Sequence, residues 1–435
     1  MKARPVCAIG VDFGTSGCRA VAIDTRRLSV ASAALGLPAP TRAQPGRSEQ
    51  DPMVWWRALT RVLSRLSAQL TAHEPVALAI DGTSGTLLLA ERDGTPRGPA
   101  LMYNDSRSRE AARRIALLAP PDSPTRGAGT SLAKWLHLAS RTGHGQYLAL
   151  HQADWLAGRL TGRYGHSDWH NCLKLGYDPG DETWPEWIDA LPLGHIRLPV
   201  VSPPGRLLGP LSARSAELTG LSPHTRVFSG TTDSTASVLA TGISEPGNAV
   251  TVLGSTLVVK ILGRQRLLAP ELGVYSHRLG DLWLAGGASN SGGAVLRRFF
   301  SDEEIKRLSA RLRPAQPTGL DYYPLAVPGE RFPVNDPELA PRLQPRPRED
   351  WRFFQGLLEG IARIEVAGYA LLQRLGAPAP RSVQSIGGGA ANAGWRQIRE
   401  ALLGIPVTVA QHQEAAFGTA TLALQGWQSL PPEQQ

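Results

Sequence analysis

Short apolar runs alternate with glycine-rich turns through the first part of the chain. The runs Val6 to Asp12 and Cys18 to Asp24 are rich in Val, Ile and Ala, and they flank the turn GTSG. Two such runs around a tight turn predict a β-hairpin. The segment AIDGTSGTLLLAERDG, at 79–94, repeats the order of strand, GTSG turn and strand. We therefore expect one strand-turn-strand device to occur twice in the first lobe.

Helical patterns follow the first device and dominate the middle of the chain. Pro52 to Leu70 has apolar residues near helical spacing, with Asp51 as N-cap and proline at the first helical position. The stretch 107–220 is largely helical in pattern. After it, VFSGTTDSTASVLATG at 227–242 predicts a strand, a Gly-Thr turn, an acidic residue and a helix of small residues.

The second half of the chain repeats the hairpin pattern. NAVTVLGSTLVVKIL at 248–262 predicts strand, turn and strand, with LGST in the turn. The span 313–348 is rich in proline and charge, which predicts a surface excursion. Further on, 351–375 predicts a long helix, SVQSIGGGA at 382–390 a strand that ends in a glycine turn, and 414–427 a closing helix.

These patterns predict a domain organisation. We expect an N-terminal lobe at 1–241 and a C-terminal lobe at 242–413, with the boundary near Thr241 to Gly247, before the second hairpin. The closing helix at 414–428 should pack back onto the first lobe. A length of 435 residues is compatible with two or three such lobes.

Composition and charge limit the classes of partner that we expect. The formal net charge is +9, but the arginines are spread along the chain and paired locally with acids, as at 107–114, so we expect no nucleic-acid partner. Three cysteines form no CxxC pair, which favours a reducing, cytoplasmic compartment. No apolar run reaches the roughly 18 residues of a membrane span, so we expect no membrane partner.

Three familiar phosphate or nucleophile motifs are missing. The chain has no Gly-Lys pair and so no Walker A loop, and GVDFGTSG leads into a strand, not into the helix of a Rossmann motif. No GxSxG elbow supports a serine hydrolase. What remains is a pair of hairpin turns in separate lobes, an aspartate in GTTDSTA and a glycine turn near the C-terminus.

The ordered set of motifs resembles the FGGY family of carbohydrate kinases from about Val6 to Leu424. The similar stretches are VDFGTSGCRAVAID, SEQDPMVWW, TGLSPHTRVFSGTTDSTAS, TVLGSTLVV and SIGGGAANAGWRQI. The resemblance implies an α/β fold of two actin-like, hexokinase-like (ribonuclease H-like) lobes, with the active site in the cleft between them. It also implies ATP as a substrate, Mg²⁺ bound with the nucleotide, and a monomer or homodimer.

Within the family, the short pentulose kinases of plants and cyanobacteria are the most similar in pattern, through LMYNDSRS, DGTSGT and GGASNSGGAVLRRFF. The larger xylulose and glycerol kinases usually carry a Met-His or an Arg-Glu pair where DGTSGT stands here. The resemblance therefore implies transfer of the γ-phosphate of ATP to a ketopentose, D-ribulose first. D-Xylulose, another sugar or polyol, and an inactive actin-like sugar- or ATP-binding regulator are the alternatives.

The resemblance and the chemistry together assign roles in the first lobe. Asp233 is the expected catalytic base, because a positioned carboxylate can accept the proton of the attacking sugar hydroxyl; its structural alternative is a helix N-cap. Gly230, three residues before Asp233, is expected to let the backbone come close to the substrate. Asp12, beside a phosphate turn, needs a cation, so we expect it to hold Mg²⁺ through water. Substrate contacts are expected from Asp12, Thr15, Ser84 and Asp233; Ser84 has the alternative of a hydroxyl that satisfies its own turn.

The nucleotide contacts are expected from both lobes. They comprise the phosphate turns, Gly14, Thr15 and Ser16 with Gly254, Ser255 and Thr256, and the adenosine motif, Gly388, Gly389, Asn392 and Trp395. Trp395 would offer an aromatic face and the two glycines a close backbone approach. A separate cluster, His166, Asp168, His170 and Cys172, could line one strand face as a metal site, but it lies in an ordinary family segment and we expect no metal there.

Overall fold

The computed structural model describes residues 4–142, 146–192 and 196–435. The chain divides into two compact units. Unit 1 runs to Gly242 and also contains Glu414–Gln435, whereas unit 2 is Ile243–Gln413. The sequence prediction placed these breaks after residues 241 and 413.

Unit 1 contains a seven-stranded, a five-stranded and a two-stranded sheet. Its strands are β1 Val6–Phe13, β2 Gly17–Asp24, β3 Ser29–Gly36, β4 Glu49–Gln50, β5 Glu74–Gly82, β6 Leu87–Ala90, β7 Ala100–Leu101, β8 Tyr147–His151, β9 His166–Asp168, β10 Ile196–Arg197, β11 Val200–Ser202, β12 Leu207–Pro210, β13 Arg226–Phe228 and β14 Thr231–Thr232. The seven-stranded sheet has the order β12-β13-β5-β1-β2-β3, with β14 also paired to β5.

The helices of unit 1 lie on both sides of the seven-stranded sheet and around the smaller ones. They are α1 Pro52–Ser67, α2 Arg109–Leu118, α3 Ser131–Ala139, α4 Gln152–Thr161, α5 Trp169–Cys172, α6 Ala213–Thr219 and α7 Asp233–Thr241. The last helix of the unit comes from the end of the chain, at Ala415–Gln428. As predicted, α1 begins at Pro52, and the side chain of Asp51 accepts a hydrogen bond from the Met53 amide.

The first predicted hairpin is confirmed, but its second copy is not a hairpin. β1 and β2 pair antiparallel across the GTSG turn. β5 and β6 also flank a GTSG turn, yet β5 pairs in parallel with β1, whereas β6 lies in the five-stranded sheet. The chain therefore crosses from one sheet to the other within the turn. Local sequence similarity predicted the two strands but not their pairing, which depends on distant partners.

Alternation along β1 builds two different faces. Ile9 and Val11 pack on the side of α1, in a core with Trp55 and Leu59. Gly10 points to the opposite side, where a Cβ would lie 2.1 Å from the carbonyl oxygen of Ala416 in the terminal helix. The small residue therefore lets that helix approach the strand backbone closely.

Unit 2 is built on one six-stranded sheet, in the order β17-β18-β16-β15-β19-β20. The strands are β15 Asn248–Leu253, β16 Leu257–Gly263, β17 Tyr275–Leu279, β18 Leu282–Ser289, β19 Ser382–Ile386 and β20 Val407–Val409. The helices are α8 Gly293–Arg297, α9 Asp302–Ser309, α10 Asp350–Arg374 and α11 Ala393–Leu403, so that the terminal helix of the chain is α12, Ala415–Gln428. The predicted β15–β16 hairpin and the long helix α10 are confirmed.

The span 313–348 is not the simple surface excursion that its composition predicts. It lacks the long helices and strands of its surroundings, but Tyr322 packs against α10 in the core of the unit and Phe332 packs beneath the sheet. Glu330 is also buried and accepts hydrogen bonds from the Ser289 hydroxyl and the Asn290 amide. The apolar residues scattered among the prolines anchor the span to the unit.

In the described part of the chain, no helix is both long enough and apolar enough to cross a membrane.

The close packing at Gly10 gives a stability prediction. Gly10→Ala should lower the free energy of unfolding by about 3 kcal/mol, because its Cβ would overlap the α12 backbone, which has no flexible side-chain end that could move aside. Gly36→Ala is the matched control in the same sheet, since nothing lies within 4 Å of its added Cβ. Urea denaturation should show a lower midpoint for Gly10→Ala only, and equal midpoints would contradict the packing argument.

Candidate functional site

Two of the predicted acidic residues of unit 1 lie at the carboxyl ends of neighbouring strands or directly after them. Asp12, near the end of β1, pairs with Asp81 of β5, and Asp81 pairs in turn with Thr231 of β14. The chain then passes from β14 into α7, whose first residue is Asp233. Because the carboxyl ends of parallel strands lie at one edge of the sheet, Asp12, Asp81 and Asp233 are grouped there.

Asp12 and Asp81 form a carboxyl pair. Asp81 is fully buried, and its Oδ2 accepts a short hydrogen bond from the hydroxyl of Thr419 in α12. Burial raises the pKa of Asp81 well above its usual value, and the nearby charges of Asp12 and Asp233 raise it further. If both carboxyls were ionised, Asp81 Oδ1 would have no hydrogen-bond donor in the described structure. A proton held by Asp81 and donated to Asp12 removes that deficit.

Asp12 remains in contact with open space. It lines a cavity of about 410 Å³ together with Gly14, Ser16, Gly17 and Arg19. Burial also raises the pKa of Asp12, an effect that the hydrogen bond with Asp81 and the charge of Arg19 partly offset. Arg19 is in turn paired with Glu414. A carboxylate that is largely desolvated on one side and open on the other is suited to a cationic or hydrated ligand.

The first turn predicted to bind phosphate borders the same cavity. The Gly14 amide donates to the Gly17 carbonyl at 3.0 Å and closes the turn between β1 and β2. Ser16 is exposed at its tip, and Thr15 is half-buried. The hydroxyl groups and the remaining backbone amides of a turn in this position can donate to phosphate oxygens.

Asp233 does not act as an N-cap. Thr232 occupies the N-cap position of α7, and Asp233 is the first helical residue, half-buried, with Oδ1 accepting from the Ser234 amide at 2.6 Å. Gly230, expected to let the backbone approach a substrate, has a different role. A Cβ there would lie 1.7 Å from the Ile80 carbonyl oxygen, so this glycine permits close contact with β5 instead.

Ser84 lies at the tip of the turn between β5 and β6. The Thr86 amide donates to the Thr83 carbonyl at 3.2 Å, and the Thr83 amide donates to Gln152 Oε1 at 3.1 Å. The two threonine hydroxyls are 2.6 Å apart and bonded to each other. These bonds satisfy the turn without the half-buried Ser84 hydroxyl, for which no hydrogen bond occurs among the described residues.

Unit 2 brings its two predicted nucleotide motifs to one edge of its sheet. β15 and β19 are parallel neighbours. The turn Gly254, Ser255 and Thr256 follows β15, and Gly388 follows β19 after a single residue. The Ser255 side chain is exposed, whereas its carbonyl accepts from the Ala294 amide at 3.0 Å. Two glycine-rich turns at one edge form a surface of exposed backbone.

The adenosine motif is only partly available to a ligand. Trp395 is buried in the core, and its Nε1 donates to the Leu358 carbonyl, so it does not offer the open aromatic face that we predicted. A Cβ at Gly389 would lie 2.6 Å from the Trp395 ring, which means that this glycine makes room for the ring. Asn392 caps α11 through Oδ1 and donates to Ser309 through Nδ2. Gly388 has nothing within 4 Å of an added Cβ and remains open.

The cluster at 166–172 does not lie along one strand face. β9 ends at Asp168, and the next residues form α5, so that the alternation assumed for the cluster is broken. The Asp168 side chain caps α5 by accepting from the His170 and Asn171 amides, and His170 Nδ1 lies 2.7 Å from the Thr231 hydroxyl. Burial raises the pKa of Asp168 to about 7. The described residues contain no group of three or more His, Cys, Asp and Glu side chains placed to hold a metal ion.

Two residues of this site were missed from the sequence. Asp81 stands inside the DGTSGT motif, and a carboxylate at the end of an apolar run was the available signal. Thr419 gave none, because a threonine in an Ala-rich helix is unremarkable until the helix is packed against β1 and β5.

The raised pKa of Asp81 gives a pH prediction. An aspartate is about half-protonated near pH 4 when unfolded, and the folded form here keeps its proton to higher pH, so its contribution to stability falls as pH rises above 4. Asp81→Asn keeps a hydrogen-bond donor without that titration. The melting temperature of Asp81→Asn relative to the wild type should therefore increase between pH 4.5 and 8.

Asp93→Asn is the control, because the pKa shift of Asp93 has the opposite sign. Hydrogen bonds from Thr95 lower the pKa of the exposed Asp93 carboxyl, so the wild type gains stability from this group as pH rises, and the variant does not. Because that gain is complete once the pH exceeds the unfolded value of about 4, Asp93→Asn should keep a nearly constant melting-temperature offset between pH 4.5 and 8, and the offset should shrink only at lower pH. A constant offset for Asp81→Asn at all pH values would contradict the proton on Asp81.

The sequence of this chain is similar to those of known carbohydrate kinases. The models of the FGGY family of carbohydrate kinases match residues 7–240 with the N-terminal domain and residues 249–427 with the C-terminal domain. A xylulose kinase of Staphylococcus epidermidis is 25% identical over 96% of this chain and 87% of its own length. An apulose kinase of Pectobacterium atrosepticum is 27% identical over 58% of this chain and 54% of its own length.

A solved structure shows the same fold. The xylulose kinase of Rhodospirillum rubrum superimposes with a TM-score of 0.85 at 23% identity, covering 98% of this chain and 91% of that one. The actin-like, two-domain α/β fold expected from the sequence is thereby confirmed. Because the two family models together span nearly all of the sequence, the chain belongs to the FGGY family of carbohydrate kinases.

Proposed function

We propose that this kinase transfers the γ-phosphate of ATP to a hydroxyl of a ketopentose, with D-ribulose as the preferred acceptor and D-xylulose as the alternative. The main support for this proposal is the grouping of Asp12 and Asp233 at the carboxyl ends of the strands of unit 1, beside a predicted phosphate turn. Membership of a family of ATP-dependent carbohydrate kinases supplies the reaction class.

Asp233 would act as the general base. Its carboxyl is half-buried at the start of α7, where Oδ1 is held by the Ser234 amide. A carboxylate fixed in this way can accept the proton of a sugar hydroxyl as the oxygen attacks phosphorus. Asp233 also lies in the first turn of α7, where the partial positive charge of a helix N-terminus interacts favourably with acidic side chains.

Asp12 would hold Mg²⁺ brought with the nucleotide. One carboxylate in an open cavity beside a phosphate turn fits Mg²⁺, which keeps most of its waters and binds few protein ligands. When bound, the ion would neutralise charge on the phosphates. The turn at Thr15 and Ser16 would donate hydrogen bonds to phosphate oxygens, and the turn at 254–256 in unit 2 would do the same.

The choice of a ketopentose rests on the turn at 81–86 and on the relatives. Proteins named xylulose kinase and apulose kinase are similar to this chain. D-Ribulose is placed first because DGTSGT stands where the larger xylulose kinases usually carry bulkier side chains. The unbonded hydroxyl of Ser84, at the tip of that turn, would contact the sugar.

The base assignment can be tested by one substitution. Asp233→Asn should reduce kcat by roughly 10² to 10⁴, the usual contribution of a general base, while ATP binding and melting temperature stay near the wild type. Asp302→Asn is the matched control, because Asp302 is likewise the first residue of a helix, α9, but lies on the surface of unit 2. Steady-state kinetics with coupled ADP detection measures both, and normal turnover in Asp233→Asn would refute the assignment.

The preferred sugar acceptor can be identified by assaying a panel of candidate substrates. ADP release with Mg-ATP should be fastest with D-ribulose among pentuloses, hexuloses, polyols and glycerol. Faster turnover of D-xylulose would select the alternative acceptor. Absence of sugar-dependent ADP release with every member, together with intact ATP binding, would instead identify a catalytically inactive regulator.

A further inference from the structure

A fully buried lysine, Lys134, lies beneath the turn that carries Ser84. It belongs to α3, and its side chain has no solvent exposure. Its Nζ donates to the carbonyl oxygens of Gly85 at 2.7 Å, Gly129 at 2.9 Å and Tyr103 at 3.3 Å. The three acceptors come from three separate loops, so a single side chain ties those loops together.

The hydrogen-bond count matches an ammonium group. An ammonium has three N–H donors and no acceptor, and here each donor has one carbonyl partner. Within the described part of the chain, no carboxylate lies within ion-pairing distance of Nζ. Burial lowers the pKa of Lys134 to about 7, with Lys174 and Arg107 acting in the same direction and Asp105 against it.

Such a group is costly to bury. A cation without a carboxylate partner loses its hydration and gains only carbonyl dipoles in return. An apolar side chain of the same size would fill the space without that cost, but it would leave the buried Gly85 carbonyl and the partly buried Gly129 and Tyr103 carbonyls without this donor. The lysine is therefore explained by what it holds in place and not by packing.

The three loops that it holds lie against one another. The Gly85 backbone has φ +83°, and a Cβ there would lie 3.3 Å from the Gly129 carbonyl oxygen, so the turn sits tightly against the loop before α3. Tyr103, whose carbonyl is the third acceptor, follows β7 and is 44% exposed. Ser84 stands at the tip of the clamped turn, directly before the residue that Lys134 binds.

We propose that Lys134 is a positioning residue for the sugar acceptor: its ammonium fixes the Ser84 turn against the Tyr103 and Gly129 loops, and so determines the affinity for sugar without touching it. This inference rests on the proposed sugar-binding role of Ser84. It assigns no part in phosphate transfer to Lys134, which separates its effect on sugar binding from any effect on kcat.

Lys134→Met tests the proposal. The KM for the sugar should rise by about tenfold or more, the size expected when a bonded ligand group is displaced, whereas the KM for ATP and kcat should change by less than about twofold. Lys260→Met is the matched control, because Lys260 is also a buried lysine but lies in β16 of unit 2. A purely structural role would lower the active fraction, and hence apparent kcat, with the sugar KM unchanged; that result would overturn the proposal.

Two further variants keep the proposal testable if Lys134→Met does not fold. Lys134→Gln retains amide donors and should give a sugar KM between those of the wild type and Lys134→Met. Gly85→Ala leaves the lysine in place but strains the positive φ and pushes the turn from Gly129, so it should raise the sugar KM with kcat preserved. An unchanged sugar KM in both would refute the positioning role even if Lys134→Met does not fold.

Hydrogen exchange distinguishes a failure of this proposal from a failure of the substrate assignment. If the wild type phosphorylates a sugar other than a pentulose, the same KM comparison applies to that sugar. If it phosphorylates none, the Thr86 amide, which closes the turn through the Thr83 carbonyl, provides the test. The exchange of this amide should accelerate in Lys134→Gln and not in Lys260→Met. Equal protection in the wild type and both variants would refute the proposal that Lys134 fixes the Ser84 turn.

Discussion

The acidic site of unit 1 depends on the close contact between α12 and the central strand β1. Gly10 lets the helix backbone approach the sheet, and Gly418 does the same toward α7, where a Cβ would lie 1.9 Å from the Ala236 carbonyl oxygen. The terminal helix is thus fixed against both elements that carry Asp12 and Asp233. From that position Thr419 reaches Asp81, the carboxyl between them in the sheet. A segment at the end of the chain therefore determines the electrostatics of a site that begins at residue 12.

The two units share one strand topology. In each, a hairpin and a third antiparallel strand are followed by a parallel strand on the other side of the first: β3-β2-β1-β5 in unit 1 and β18-β16-β15-β19 in unit 2. Each unit then presents the hairpin turn and the turn after the parallel strand at one edge. Both edges carry glycines and hydroxyls, but among the described residues only the edge of unit 1 also carries carboxylates, those of Asp12, Asp81 and Asp233. The difference suits acid–base chemistry in the first unit and phosphate contacts through backbone amides in the second.

The sequence predicts the hairpins and the long helices well, but it misses the strands β8 to β12 in the stretch 107–220, which has a largely helical pattern, and it predicts distant partners poorly. The hairpins at Val6 and Asn248 and the helix that begins with Asp233 follow from local periodicity and turn chemistry, which act over a few residues. Apart from the strand alternation assumed at 166–172, which the local start of α5 breaks, the other failures involve distant contacts. β5 and β6 looked like a hairpin but pair in different sheets, and Gly230 and Trp395 looked available to ligands but are committed to β5 and to the core of unit 2. A glycine or a tryptophan does not reveal locally which neighbour will occupy the space beside it.

The position of the Ser84 turn, the proposed sugar contact, also depends on distant residues that the local sequence does not reveal. DGTSGT contains only small side chains, which cannot hold a turn by packing, so hydrogen bonds must fix it. Those bonds come from residues far along the chain: Gln152 binds Thr83, and Lys134 binds Gly85. Both partners are buried. Leaving their polar groups without hydrogen bonds would destabilise the fold by more than a contact at the surface could offset. The position of the turn is therefore defined by a few buried polar side chains, and two turns with the same six letters could present Ser84 differently when those partners change.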